Sequence, residues 1–97
     1  MIPTPEKNNL PYKLKFMGKA LKGWKKLEEN SPEALEKCRY FLTTTPVERF
    51  ASGGKVKKLH GQFSRFLQFD VTDKARVQYM VDTENRIVYI RYAGQHP

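Results

Sequence analysis

The chain lacks most of the residues that staple, anchor or metallate a small protein. It has one cysteine, Cys38, in 97 residues, which excludes an intramolecular disulfide and any cysteine-rich zinc site. Its two histidines, His60 and His96, have no carboxylate cluster at ligand spacing, so no metal is expected. No apolar run approaches the ~20 residues of a membrane span, and no apolar leader opens the chain. The expected location is therefore the cytoplasm, with no membrane partner. No nucleotide fingerprint appears: in "SGGK" (52–55) the glycine spacing is wrong for a phosphate loop and no strand leads into it. No Ser-His-Asp arrangement is evident, and no small-molecule cofactor is expected. Acids are scarce as well. Asp plus Glu number 10 against 18 Lys plus Arg, a net charge of +8. That excess points to a polyanionic partner: RNA, DNA or an acidic protein.

What is present is enough for one small folded domain. Hydrophobic residues make up 39%, with six Phe, five Tyr and one Trp. Residues 1–11, with three prolines and two asparagines, read as a flexible lead-in, and 12–97 as a single domain. "YKLKFM" (12–17) alternates, with Leu14 and Phe16 against Lys13 and Lys15, and predicts a half-buried strand. Over 19–30, Ala20, Leu21, Trp24 and Leu27 form one helical stripe, weakened slightly by Gly23. Ser31 then reads as an N-cap, Pro32 as the first residue of a second helix and Glu33 as its first-turn acid. Ala34, Leu35, Cys38, Phe41 and Leu42 carry that helix to about Thr43, so the two helices form a hairpin. Cys38 falls among these apolar positions and reads as core, not as a nucleophile. Residues 43–61 read as an irregular connection, pinned partly to the core by Val47 and Phe50 and basic at its end.

Three strands follow, and their register is predictable. In 63–71, Arg65, Leu67, Phe69 and Val71 share one face, and Ser64, Phe66, Gln68 and Asp70 the other. In 76–82, Val77, Tyr79 and Val81 oppose Arg76, Gln78 and Met80. A loop at Thr72-Asp73-Lys74 pairs Phe69 with Val77, Leu67 with Tyr79, Asp70 with Arg76 and Gln68 with Gln78. A slip of one residue would mix apolar and polar faces. A turn around Glu84-Asn85 pairs Val81 with Val88, Tyr79 with Ile90 and Val77 with Tyr92, sets Gln78 against Arg91 and brings Tyr89 near Met80. The predicted class is α+β, order βααβββ: a helical hairpin on one face of a mainly antiparallel four-stranded sheet. Its other face carries Gln68, Asp70, Arg76, Gln78, Tyr89 and Arg91.

That polar face has the parts for metal-free RNA cleavage, in which the 2′-OH attacks the adjacent phosphate. The reaction needs a base for the 2′-OH proton, cations for the phosphate and an acid for the leaving 5′-oxygen. Asp70 is the candidate base, Arg76 and Arg91 the phosphate ligands, and His96 the acid. Lys55, Lys57, Lys58, His60, Gln68 and Gln78 are the candidate RNA contacts. A solvated face is the plain alternative, although it leaves Arg76 and Arg91 close together unexplained.

Four stretches resemble the RelE/ParE toxin superfamily: "YKLKFMGKALKGWKKL" (12–27), "VKKLHG" (56–61), "RVQYMVDTENRIVYI" (76–90) and "YAGQHP" (92–97). The resemblance implies the same βααβββ order. For the RelE-like branch it implies an endoribonuclease that cuts mRNA in the ribosomal decoding site and is neutralised by an antitoxin, here expected to be acidic. Arg76 matches the family's phosphate-binding arginine and His96 its closing basic residue. Asp70 sits where the histidine-bearing branch carries an acid–base residue, and His60 falls in the loop before that strand. The RelE type proper has lysines on the second strand, where this chain has Gln68 and Asp70. The ParE branch implies instead a DNA gyrase inhibitor, and an inert relative would keep only the antitoxin surface.

Overall fold

Alternating burial sets the first strand: in β1 (Lys13–Phe16) both lysines are exposed and Leu14 and Phe16 are half-buried. The structure is a computed structural model and describes residues 10–95. The predicted lead-in over 1–9 and the closing His96-Pro97 lie outside the described residues. Helix α1 (Ala20–Asn30) buries Ala20, Trp24 and Leu27, while Leu21, expected on that stripe, is exposed. Helix α2 (Pro32–Thr44) buries Leu35, Cys38, Phe41 and Leu42. Ser31 alone joins them: its N–H donates to Leu27 O at 2.7 Å and its carbonyl accepts from Leu35 N at 2.9 Å. Its side chain makes no capping bond, and Pro32 starts the helix, where the missing N–H costs nothing.

The sheet has five strands in the order β1-β5-β4-β3-β2, one more than expected. The added strand, β2 (Val56–Lys58), lies inside the segment read as an irregular connection and pairs antiparallel with β3 (Leu67–Asp70). Strands β4 (Ala75–Asp82) and β5 (Ile87–Gln95) continue the antiparallel ladder, and β1 adds to β5 in parallel. Of the strand expected over 63–71, only Leu67–Asp70 forms: Phe63 closes a short 3-10 turn (Gly61–Phe63), and residues 64–66 turn the chain into β3. Both helices pack on one face. Their apolar stripes meet Phe69, Val71, Val77, Tyr79, Val88, Ile90 and Ala93 from the sheet. Phe16 meets Trp24 edge-on at 5.3 Å, and Phe41 meets Phe69 at 5.4 Å, separations at which aromatic pairs attract.

The β3–β4 register follows the predicted alternation at Leu67–Tyr79, Gln68–Gln78, Phe69–Val77 and Asp70–Arg76. The β4–β5 register does so at Val81–Val88, Met80–Tyr89 and Tyr79–Ile90. It then breaks. An irregularity at Gln78/Tyr79 leaves Arg91 as an extra residue, so Gln78 faces Tyr92, not Arg91, and Val77 faces Ala93, not Tyr92. The bulge turns Tyr92 off the helix-covered face and puts a small residue there. The pins expected from Val47 and Phe50 are also absent, since Val47 is exposed and Phe50 is 100% exposed.

Tyr79 is fully buried, and its hydroxyl has no partner among the described residues. Burial pushes that phenol well above its ordinary pKa. A buried unpaired hydroxyl costs free energy, so Tyr79→Phe is expected to raise stability by about 1 kcal/mol. Urea unfolding measures it, and a loss of stability would reveal a partner for the hydroxyl.

Candidate functional site

Strand pairing brings the polar residues together. Asp70 and Arg76 sit opposite each other near the β3–β4 turn, and Lys57 on β2 lies opposite Gln68. The Arg76 Nη1 reaches Asp70 Oδ1 at 3.2 Å, and the Lys57 Nζ reaches Asp70 Oδ2 at 3.3 Å. The Asp70 and Arg76 side chains are only 21% and 16% exposed, so water screens this pair less than a surface ion pair. Gln68 Nε2 donates to Asp70 Oδ1 at 3.1 Å, and Gln78 Nε2 donates to Gln68 Oε1 at 3.0 Å. Arg91 Nη1 donates to Gln78 Oε1. A chain of hydrogen bonds thus runs across three strands from Arg91 through Gln78 and Gln68 to Asp70, which an ion pair ties to Arg76.

Asp70 therefore pairs with two cations and accepts a hydrogen bond from an amide. Arg76 has a further contact to Thr72 O at 3.4 Å, while its buried Nε has no partner among the described residues. Gly53, Gly54, Lys55, Lys57, Thr72, Asp73, Asp70 and Arg76 enclose a polar cleft of about 360 Å³. Gly53 and Gly54 both have positive φ, 67° and 84°, backbone that a side chain would strain. They turn the chain so that Lys55 follows them into the same cleft.

Arg91 does not reach that cleft as a phosphate ligand. Its guanidinium carbon lies 4.3 Å from the centre of the Phe63 ring and 5.6 Å from that of Phe66. Lys58 is also displaced: it lines a separate depression of about 390 Å³ with Arg49, Arg65 and Met80. His60 is exposed in the loop before β3. His96, expected to supply the acid, lies outside the described residues. Cys38 is buried, and burial pushes its thiol up, so it is unsuited to nucleophilic work. Among the described residues no three of His, Cys, Asp and Glu gather in a metal-holding group, and no helix is long and apolar enough to cross a membrane.

Phe63, Thr72 and Tyr92 were not expected on this face, and Phe66, set there beside Gln68 and Asp70, was given no role. Phe66 alone carried a signal, because it alternates with Gln68 and Asp70. Tyr92 carried none, because the bulge decides its side.

No family model matches the sequence, and no curated protein matches it. Solved structures do match the fold. In a YoeB–YefM toxin–antitoxin complex from Staphylococcus aureus, the similar chain is 19% identical, with 89% of this chain and 98% of that one covered and a TM-score of 0.65. In an archaeal RelE–RelB complex from Pyrococcus horikoshii OT3 the values are 22%, 87%, 93% and 0.63. For a YoeB/ParE toxin from Agrobacterium tumefaciens they are 16%, 88%, 99% and 0.66. These neighbours are RelE/ParE superfamily toxins, and the chain has their fold, as its four sequence stretches led one to expect.

Proposed function

We propose that this chain is the toxin of a toxin–antitoxin pair and a metal-independent endoribonuclease that cleaves mRNA in the cytoplasm, with the ribosome as its setting. The Lys57–Asp70–Arg76 cluster in its polar cleft carries the reading. It sets a carboxylate against two cations on an open sheet face of a chain with net charge +8. Such a cleft suits a phosphodiester, whose non-bridging oxygens take the Arg76 fork and the Lys57 ammonium. The 2′-OH of the preceding nucleotide loses its proton to Asp70 as its oxygen attacks phosphorus. The P–O5′ bond breaks, and the 5′-oxygen takes a proton from His96. The products are a 2′,3′-cyclic phosphate and a free 5′-hydroxyl. Lys55, which lines the cleft, and Gln68, bonded to Asp70, are the candidate contacts for the flanking backbone.

An acidic antitoxin is the second partner. The basic surface supports it, as does an apolar groove of about 820 Å³ lined by Tyr40, Phe41, Phe69 and Val71 among others. Tyr40, on the wall of that groove, stands exposed, and a contiguous apolar patch left in water commonly marks a protein contact.

Inducing the chain in cells tests the reading. Growth should stop with mRNA fragmented and DNA supercoiling unchanged. Altered supercoiling with whole mRNA would identify a gyrase inhibitor, and unaffected growth an inert relative. Binding offers a second check. Asp70 neutralises Arg76 and Lys57 in the free protein, so Asp70→Asn should bind a cleavage-resistant 2′-O-methyl oligoribonucleotide several-fold more tightly than wild type while failing to cut an unmodified one. Weaker binding by the variant would show that Asp70 orients the cations more than it competes for them.

A further inference from the structure

Arg91 is an arginine with its donor fork partly spent. Nη1 is engaged by Gln78 Oε1, and the guanidinium carbon lies over Phe63 at 4.3 Å and near Phe66 at 5.6 Å. Both distances are within the range of cation–π attraction. A guanidinium so held offers a flat, weakly hydrated surface more than a phosphate fork, and nucleic-acid bases stack on such planes and on aromatic rings. Phe63, Phe66 and Arg91 all remain partly exposed. The bulge adds Tyr92, opposite Gln78, to the same side of the sheet. Gln78 is two residues from Arg76 along β4, about 7 Å, so the platform and the phosphate cleft are neighbours on one surface.

We propose that Arg91 and Phe63, backed by Phe66, form a nucleobase-stacking site that holds a base of the single strand whose phosphate lies at Arg76. This rests on the ribonuclease reading and deepens it. The cleft holds backbone and the platform holds a base, which makes single-stranded RNA with unpaired bases the substrate class. A duplex, whose bases are already stacked on one another, cannot use the platform. Arg91 is accordingly a binding residue, not the second phosphate ligand that the sequence pattern assigned to it.

The test uses the whole chain and a fluorescently labelled 2′-O-methyl hexaribonucleotide, followed by anisotropy. Six further oligomers each carry one abasic position with the phosphates intact. Wild type should lose about 5- to 150-fold in affinity at one position. Phe63→Leu keeps apolar volume without the ring, and Arg91→Lys keeps charge without the plane. Both should bind the intact oligomer more weakly by a similar factor and lose the distinction between intact and abasic strands. Circular dichroism and thermal melting check that both variants are folded. Salt-dependent binding that is equal for intact and abasic strands would overturn the stacking site and leave the cleft reading standing. Retained discrimination in folded Phe63→Leu and Arg91→Lys would overturn it too. No binding of any oligomer by wild type, alone or on ribosomes, would overturn the ribonuclease reading itself, and this site with it.

Discussion

Arg76→Ala is expected to slow RNA cleavage by about 10²–10³-fold, the usual cost of removing one preorganised donor from a developing oxyanion. Under the proposed ribonuclease reading, Arg76 fills that role from a fixed backbone position. It lies in the second position of β4, opposite Asp70, with its guanidinium bonded to that carboxylate. A side chain only 16% exposed has little freedom left to lose when phosphate arrives, which is what makes its charge effective. Arg76→Lys separates charge from geometry. It keeps the cation but not the planar fork, and should recover only part of the rate. Single-turnover cleavage of a labelled oligoribonucleotide measures both variants, and growth after induction gives the cellular readout. Because the change leaves Asp70 with Lys57 and Gln68 as partners, the fold should survive, and a melting curve confirms it. Cleavage by Arg76→Ala within threefold of wild type would remove this arginine from the site.

The second large effect is on stability. Gly23→Ala lies within α1, where alanine normally adds about 1 kcal/mol of helix propensity. Here the sign reverses. A Cβ on Gly23 would sit 1.8 Å from the Ala93 carbonyl oxygen and 2.9 Å from its carbon. Both are backbone atoms of β5, so no side-chain rotation relieves the clash, and the helix must lift from the sheet. Overpacking of this kind costs about 3 kcal/mol or more, a large share of the ~5–15 kcal/mol that holds a small domain together. For a chain of this size the melting temperature should fall by roughly 12–24 °C. Lys25→Ala, exposed on the same helix, is the control and should stay within about 0.5 kcal/mol. A Gly23→Ala protein as stable as wild type would mean that α1 does not approach β5 this closely.

Gly23 also explains the bulge. Strict alternation along β5 would put Tyr92 on the helix-covered face, near where α1 comes closest. Slipping past Arg91 puts Ala93 there instead, so glycine meets alanine and helix and strand touch through their backbones. Tyr92 moves to the open face, where its hydroxyl donates to Gln95 O. Gly94 follows with φ 152°, a backbone that L side chains rarely adopt. Nothing in "RYAG" marks this choice. Arginine and tyrosine are both amphipathic, alanine suits either side, and glycine has no side to show. The alternation that specified "VQYMV" against "IVYI" fades after Ile90.

The contrast runs through the molecule. The helical hairpin, the β3–β4 register and the meeting of Asp70 with Arg76 were readable because each rests on local periodicity, and a one-residue error would bury charge or expose Phe69, Val77 and Tyr79. Strand β2 was not readable, since three residues with one apolar side chain have no period, and they become a strand only because the edge of β3 offers unpaired backbone groups. The cleft joining Gly53, Lys55 and Lys57 to Arg76 depends on that pairing. Arg91 is a second case: its charge was visible in the sequence, but its seat over Phe63 was not. The sequence by itself determined which residues must hide from water, and with them the fold class and the Asp70–Arg76 pair. Tertiary structure alone decided the fifth strand, the bulge and the stacking of Arg91, because these depend on how closely distant backbones and side chains can approach, and no local pattern encodes that distance.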